Sequence, residues 1–159
     1  MIAAVLLLLT GCSSSSKTGS AQEDRLPDAT LQPLDDGEPV DLASLRGPMV
    51  INLWASWCAP CRDELPEYQA FAQKYDGKVD VLGVDWQETR ASAARKLARD
   101  SGVTYPLVTD PDGRLRSQAL PKLILLDADG KVAFERYVKI ASMAQLEKLV
   151  ETHLEVARS

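Results

Sequence analysis

Apolar and polar positions change period several times along this chain. Residues 49–55, Met-Val-Ile-Asn-Leu-Trp-Ala, form a nearly continuous apolar run of strand length, which predicts a buried strand. Residues 79–86, Val-Asp-Val-Leu-Gly-Val-Asp-Trp, predict a second. Between them Leu65, Tyr68, Phe71, Ala72 and Tyr75 recur at helical spacing, so a helix is expected over 59–75. Pro66 falls inside that helix and should kink it. A second helix is expected over 90–101, stopped by Gly102. Residues 105–109 fit a short strand, followed by a turn at Asp110-Pro111-Asp112-Gly113. Residues 122–126 and 132–138 fit two strands joined as a hairpin through Asp127-Ala128-Asp129-Gly130. Ser142 caps a last helix, with Gln145 completing a capping box, and Met143, Leu146, Leu149 and Val150 on its apolar face. Near the start, residues 30–32 and 38–41 flank the turn signal Asp35-Asp36-Gly37 and predict an N-terminal hairpin.

The order is a hairpin, then β-α-β-α-β, then a hairpin and a helix. Strands alternating with helices predict an α/β sheet covered on both faces. The last hairpin makes that sheet mixed. No internal repeat is visible.

Charge narrows the partners. The chain has 18 Lys and Arg against 23 Asp and Glu, a formal net charge of -5. That is no basic footprint for nucleic acid. The first eleven residues carry no charge and are mostly Leu, Ala, Val and Ile. They are too few to span a bilayer and fit the apolar region of a signal peptide. They end in Leu9-Thr10-Gly11-Cys12, which resembles the bacterial lipobox, whose cysteine is lipidated and becomes the mature N-terminus. No Lys or Arg precedes the run, a departure that fits a translation start upstream of Met1. Ser13-Ser14-Ser15-Ser16-Lys17-Thr18-Gly19-Ser20 reads as a flexible tether. The organisation expected is a signal peptide over 1–11, a linker over 12–25 after a lipidated Cys12, and one domain over 26–159. Its length is enough to bury a core.

The chemistry lies in Trp57-Cys58-Ala59-Pro60-Cys61, where the first predicted strand turns into the first helix. Unpaired N–H groups and the dipole at a helix N-terminus favour a thiolate on Cys58. Cys61 is close enough to attack a mixed disulfide formed there. A zinc or iron–sulfur site would need about four ligands. With Cys12 assigned to lipid, the domain offers only these two thiols and one histidine, His153, so no metal is expected. A purely structural disulfide is a poor alternative, because so short a loop returns little chain entropy.

Taken together, Trp57-Cys58-x-x-Cys61, Pro66 in the helix, and Leu120-Pro121 before a strand resemble thioredoxin. The lipobox, the 28–40 hairpin region and the phrase Asn52-Leu53-Trp54-Ala55-Ser56-Trp57-Cys58 resemble more specifically the TlpA/ResA-type membrane-anchored thiol-disulfide oxidoreductases, AhpC/TSA-like redoxins. The resemblance covers about residues 26–154. It implies a thioredoxin-like three-layer α/β/α sandwich with a mixed central sheet and an N-terminal β-hairpin. It implies that Cys58 attacks, that Cys61 resolves, and that Pro121 is a cis-proline presenting backbone to an extended substrate. Trp57, Pro60 and Leu120 would contact that substrate.

Where thioredoxin has a buried Asp before the motif, this chain has Asn52. Glu64 matches a glutamate placed near the dithiol in ResA-like proteins, and Glu88 matches a second such position. Carboxylates near the pair, Glu64, Asp63 and Glu88 among them, would raise the Cys58 pKa and make the protein a reductant. Lys122 stands where the family usually has Thr, and Lys139-Ile140 where a Gly is common. The implied partners are disulfide-bearing exported proteins, with apocytochrome c one possibility, and a thiol-type electron donor in the membrane. No cofactor is implied. Ile51 and Ala55 occupy the positions where a peroxidase of the superfamily has Pro and Thr, and the C-x-x-x-C pair of copper carriers is missing. The alternatives kept open are a disulfide-forming oxidase and a redox-inactive, chaperone-like binding module. The intact cysteine pair argues against the second.

Overall fold

The computed structural model describes residues 24–156. Its centre is strand β3 (Met49–Trp54), all six residues buried, as the unbroken apolar run requires. Beside it runs β4 (Asp80–Trp86), parallel and in register from Met49↔Asp80 to Trp54↔Asp85. On the other side lies β6 (Lys122–Leu126), antiparallel, and beyond it β7 (Val132–Tyr137). The short strand β5 (Leu107–Asp110) pairs parallel with β4. The N-terminal hairpin of β1 (Thr30–Pro33) and β2 (Val40–Asp41) extends the sheet from β5. The order is β2-β1-β5-β4-β3-β6-β7, one mixed sheet of seven strands. This is a thioredoxin-like α/β fold.

The pleat sorts the core into two faces. Ile51, Leu53, Leu82, Val84, Ile124 and Leu126 form one cluster. Val50, Val81, Leu123 and Leu125 join the other. Three helices carry the residues packed with this second face: α1 (Ala59–Lys74), α2 (Ala91–Asp100) and α3 (Met143–His153). The opposite face is covered differently, by Leu26, by Leu42 of the 3-10 helix Leu42–Ser44, and by Leu115. Irregular chain and a single 3-10 turn therefore make the second cover layer. Residues just before Leu26 are tied to the sheet as well. Arg25 bridges to Lys131, and the Asp24 carbonyl accepts from the Val132 N–H at 2.6 Å.

Helix α1 keeps Pro66 in its interior. An interior proline costs about 3 kcal/mol. Leu65, Tyr68 and Phe71 are fully buried, and each contributes about 1.5–3 kcal/mol through burial. Packing outweighs the lost hydrogen bond. Gly83 on β4 serves the same interface. A Cβ there would lie 2.4 Å from Leu107 Cδ2, 3.0 Å from the Tyr105 ring and 3.2 Å from Trp54 Nε1. Only a bare backbone lets these side chains close over the sheet.

Candidate active site

β3 ends at Trp54, and four residues later Cys58 becomes the N-cap of α1. Its backbone is extended (φ -85°, ψ 103°), and its Sγ takes the capping role, accepting from the Cys61 N–H at 3.3 Å. Pro60 sits in the first turn, where the N–H it lacks would have had no intrahelical partner. Cys58 and Cys61 are joined as a disulfide, with Cα atoms 5.3 Å apart. Cys58 is 5% exposed and Cys61 is 0% exposed. Trp57, just before them, is 49% exposed.

Both sulfurs belong to an apolar cluster with Leu34, Trp54, Ala55, Leu65, Ala94 and Ala98, against which Leu120 packs. The Leu120–Pro121 peptide is cis, as the resemblance implies, and so is Gly47–Pro48, which nothing in the sequence reading singled out. The fold therefore brings Cys58, Cys61, Pro60, Leu120 and Pro121 to one end of β3 and β6. Cys12 lies outside the described residues.

The carboxylates divide three ways. Glu64 is fully buried one turn beyond Cys61, and its Oε2 accepts from the Ile140 N–H at 2.9 Å. Burial pushes its pKa up to about 8, against the lowering effect of that hydrogen bond. It points inward, yet it is mostly protonated at neutral pH. It does not supply the negative charge expected of it there. Asp63 is turned outward to Lys139, with 2.7 Å between Nζ and Oδ2, and that hydrogen bond holds its pKa below the usual value.

Glu88 is the carboxylate bound to the backbone just before the cysteine motif. Its Oε2 accepts from the Ser56 N–H at 2.9 Å and its Oε1 from the Arg90 N–H at 2.7 Å. Burial raises its pKa, but hydrogen bonds from Ser56, Arg90 and Thr89 outweigh burial and leave it below the usual value. An ionised carboxylate is thus fixed to the segment that carries Cys58.

One buried acid escaped the sequence reading. Asp85 is 1% exposed, pairs in register with Trp54, and has an Oδ1 without a hydrogen-bond partner. Burial, and then the charge of Glu88, push its pKa to about 7. Its signal was a carboxylate inside the otherwise apolar run of β4. Trp86, at the end of β4, is buried and donates from Nε1 to the Leu115 carbonyl at 2.9 Å. His153 stacks on Phe134 with ring centroids 4.3 Å apart.

A vicinal cysteine pair at a helix N-terminus, with a cis Leu–Pro in the same cluster on a thioredoxin-like sheet, defines a thiol-disulfide oxidoreductase. Residues 23–135 match the AhpC/TSA family, and the chain belongs to it. It is 29% identical over 125 residues to thioredoxin-like protein YneN of Bacillus subtilis, covering 75% of this chain and 73% of that one. It is 30% identical over 118 residues to the thiol-disulfide oxidoreductase ResA of Bacillus thuringiensis, covering 70% and 67%. Among solved structures, a secreted thiol-disulfide isomerase from Corynebacterium glutamicum superposes with a TM-score of 0.64 at 26% identity, covering 79% of this chain and 85% of that one. A secreted Mycobacterium tuberculosis disulfide oxidoreductase homologous to E. coli DsbE shares the fold, with a TM-score of 0.68 at 23% identity, covering 79% and 96%.

Proposed function

We propose that the protein reduces disulfides of exported proteins, from a position on the outer side of the membrane to which a lipidated Cys12 ties it. The observation that carries the reductive direction is the burial of the Cys58–Cys61 pair in an apolar cluster. Apolar burial disfavours a thiolate, by up to 3–5 pKa units for a fully buried group, at about 1.4 kcal/mol each. A helix N-terminus favours it by about 0.3–1 kcal/mol, up to about 2 in partly buried geometry. Burial wins, and the ionised Glu88 adds to it. A dithiol with an unstable thiolate gives up its electrons readily.

In the reduced protein the Cys58 thiolate attacks one sulfur of the partner's disulfide. The partner's other sulfur leaves as a thiolate and takes a proton. Cys61, deprotonated in turn, attacks Cys58 Sγ and releases the second partner sulfur as a thiol. Two electrons pass to the partner, and the protein is left with the Cys58–Cys61 bond. A membrane thiol donor restores the dithiol. Pro121 and Leu120 present backbone to an extended partner segment, with Trp57 and Pro60 at its other side. Export is supported by the lipobox-like Leu9-Thr10-Gly11-Cys12 and by the serine tether. Among the described residues, no helix is long and apolar enough to cross a membrane. Apocytochrome c is one partner of the right kind. The test is insulin-disulfide reduction by the wild type and by a Cys58→Ser, Cys61→Ser double variant. Turnover should be lost completely in the variant, and equal turnover in both would overturn the reading.

A further inference from the structure

Lys122 follows the cis-proline directly and is 4% exposed, a rare place for an ammonium group. A buried charge persists only when paired and hydrogen-bonded. Here Nζ donates to the Arg116 carbonyl at 2.6 Å and meets Glu135 Oε1 at 2.6 Å. It also stands 5.8 Å from the centroid of the Tyr137 ring. Tyr137 is the register partner of Lys122 across the β6–β7 ladder. Although 46% exposed, its hydroxyl is engaged and accepts from the Gln118 N–H at 2.9 Å. Lys122 and Tyr137 therefore grip the same short loop at residues 116 and 118, just before the cis Leu120–Pro121 bond.

We propose that Lys122, with Glu135 and Tyr137, is a positioning clasp for the cis-proline loop, and that it sets how tightly the protein takes an extended, disulfide-bearing polypeptide. The inference rests on the reading of Pro121 as the backbone platform for that partner. The clasp touches the loop and not the sulfurs. It should therefore govern recognition of a chain that lies along the loop, and leave untouched a small disulfide that meets only Cys58.

The test compares the reduced full-length protein against two oxidants, an extended cystine-bearing peptide and oxidised glutathione. Lys122→Met should raise the KM for the peptide by about tenfold or more, the effect of one lost hydrogen bond to a charged group. It should leave kcat, the rate with glutathione and the reduction potential unchanged. Tyr137→Phe removes one hydroxyl from a half-exposed ring and should move the peptide KM in the same direction by a smaller factor. Peptide kinetics unchanged in both variants would overturn the clasp, as would equal losses with peptide and glutathione. A Pro121→Ala variant with wild-type peptide kinetics would instead remove the platform reading itself.

Discussion

The Ser56 N–H donates to the Glu88 carboxylate at 2.9 Å, joining the turn after β3 to the loop after β4. The bond does two things. It fixes the segment that delivers Cys58 to the start of α1, and it holds a negative charge on the backbone two residues before Cys58. Glu88→Gln keeps an acceptor for one of the two N–H groups and removes the charge. The Cys58 thiolate should then be easier to form, and the reduction potential should rise by about 10–20 mV, since 30 mV corresponds to about 1.4 kcal/mol. Redox titration of the variant against glutathione checks this, and an unchanged or lowered potential would contradict it.

The difference in exposure predicts the roles within the pair. Cys58 is 5% exposed and Cys61 is 0% exposed. Cys61→Ser should accumulate mixed disulfides with partner proteins through Cys58, whereas Cys58→Ser should trap few. Non-reducing gels of the two variants read the difference directly, and the reverse pattern would exchange the roles.

Two buried acids give stability a pH dependence of definite sign. Glu64 has a folded pKa of about 8 against an ordinary 4.5, and Asp85 about 7 against 3.8. Both are raised, so the folded state holds their protons more tightly than the unfolded chain. Stability from these groups is fully present below about pH 4 and is lost as pH rises toward 7 for Asp85 and 8 for Glu64. Each titrating group contributes a slope of up to about 1.4 kcal/mol per pH unit. Denaturant midpoints of the oxidised protein should fall from pH 5 to pH 8. Glu64→Gln and Asp85→Asn should each flatten that fall, and a fall of wild-type steepness in the double variant would be the contrary result.

The anchor is tested by Cys12→Ser. The variant should leave the membrane fraction or remain unprocessed, because stable anchoring depends on acyl chains that this cysteine would carry. A variant that matures normally and stays membrane-bound would exclude lipidation at Cys12.

What was legible in the sequence follows from which signals are local. The β3 run, the α1 spacing and the cysteine pair depend on neighbours within a few turns, and each lies where its pattern places it. The cap of α3 is likewise local: the Gln145 N–H donates to Ser142 Oγ at 3.3 Å, while its side chain reaches one residue further than a capping box requires and accepts from the Ala141 N–H at 2.9 Å. Contacts made across the sheet were not legible. Glu64 finds Ile140, 76 residues away, and that partner together with full burial sets its charge. Lys122 was visible as an unusual residue after a proline, but its burial depends on Glu135 and Tyr137 of the neighbouring strand. Asp85 has a local signal, a carboxylate inside an apolar strand, but its raised pKa depends on burial under the folded sheet and on Glu88.

Whether this dithiol is a reductant is decided by the equilibrium reduction potential of the Cys58/Cys61 pair in the wild-type chain at pH 7. The burial of both sulfurs and the fixed charge of Glu88 predict a value nearer thioredoxin, at about -270 mV, than the strong oxidant DsbA, at about -120 mV. A value near that of the oxidant would contradict the account and make disulfide formation the better description of what the protein does.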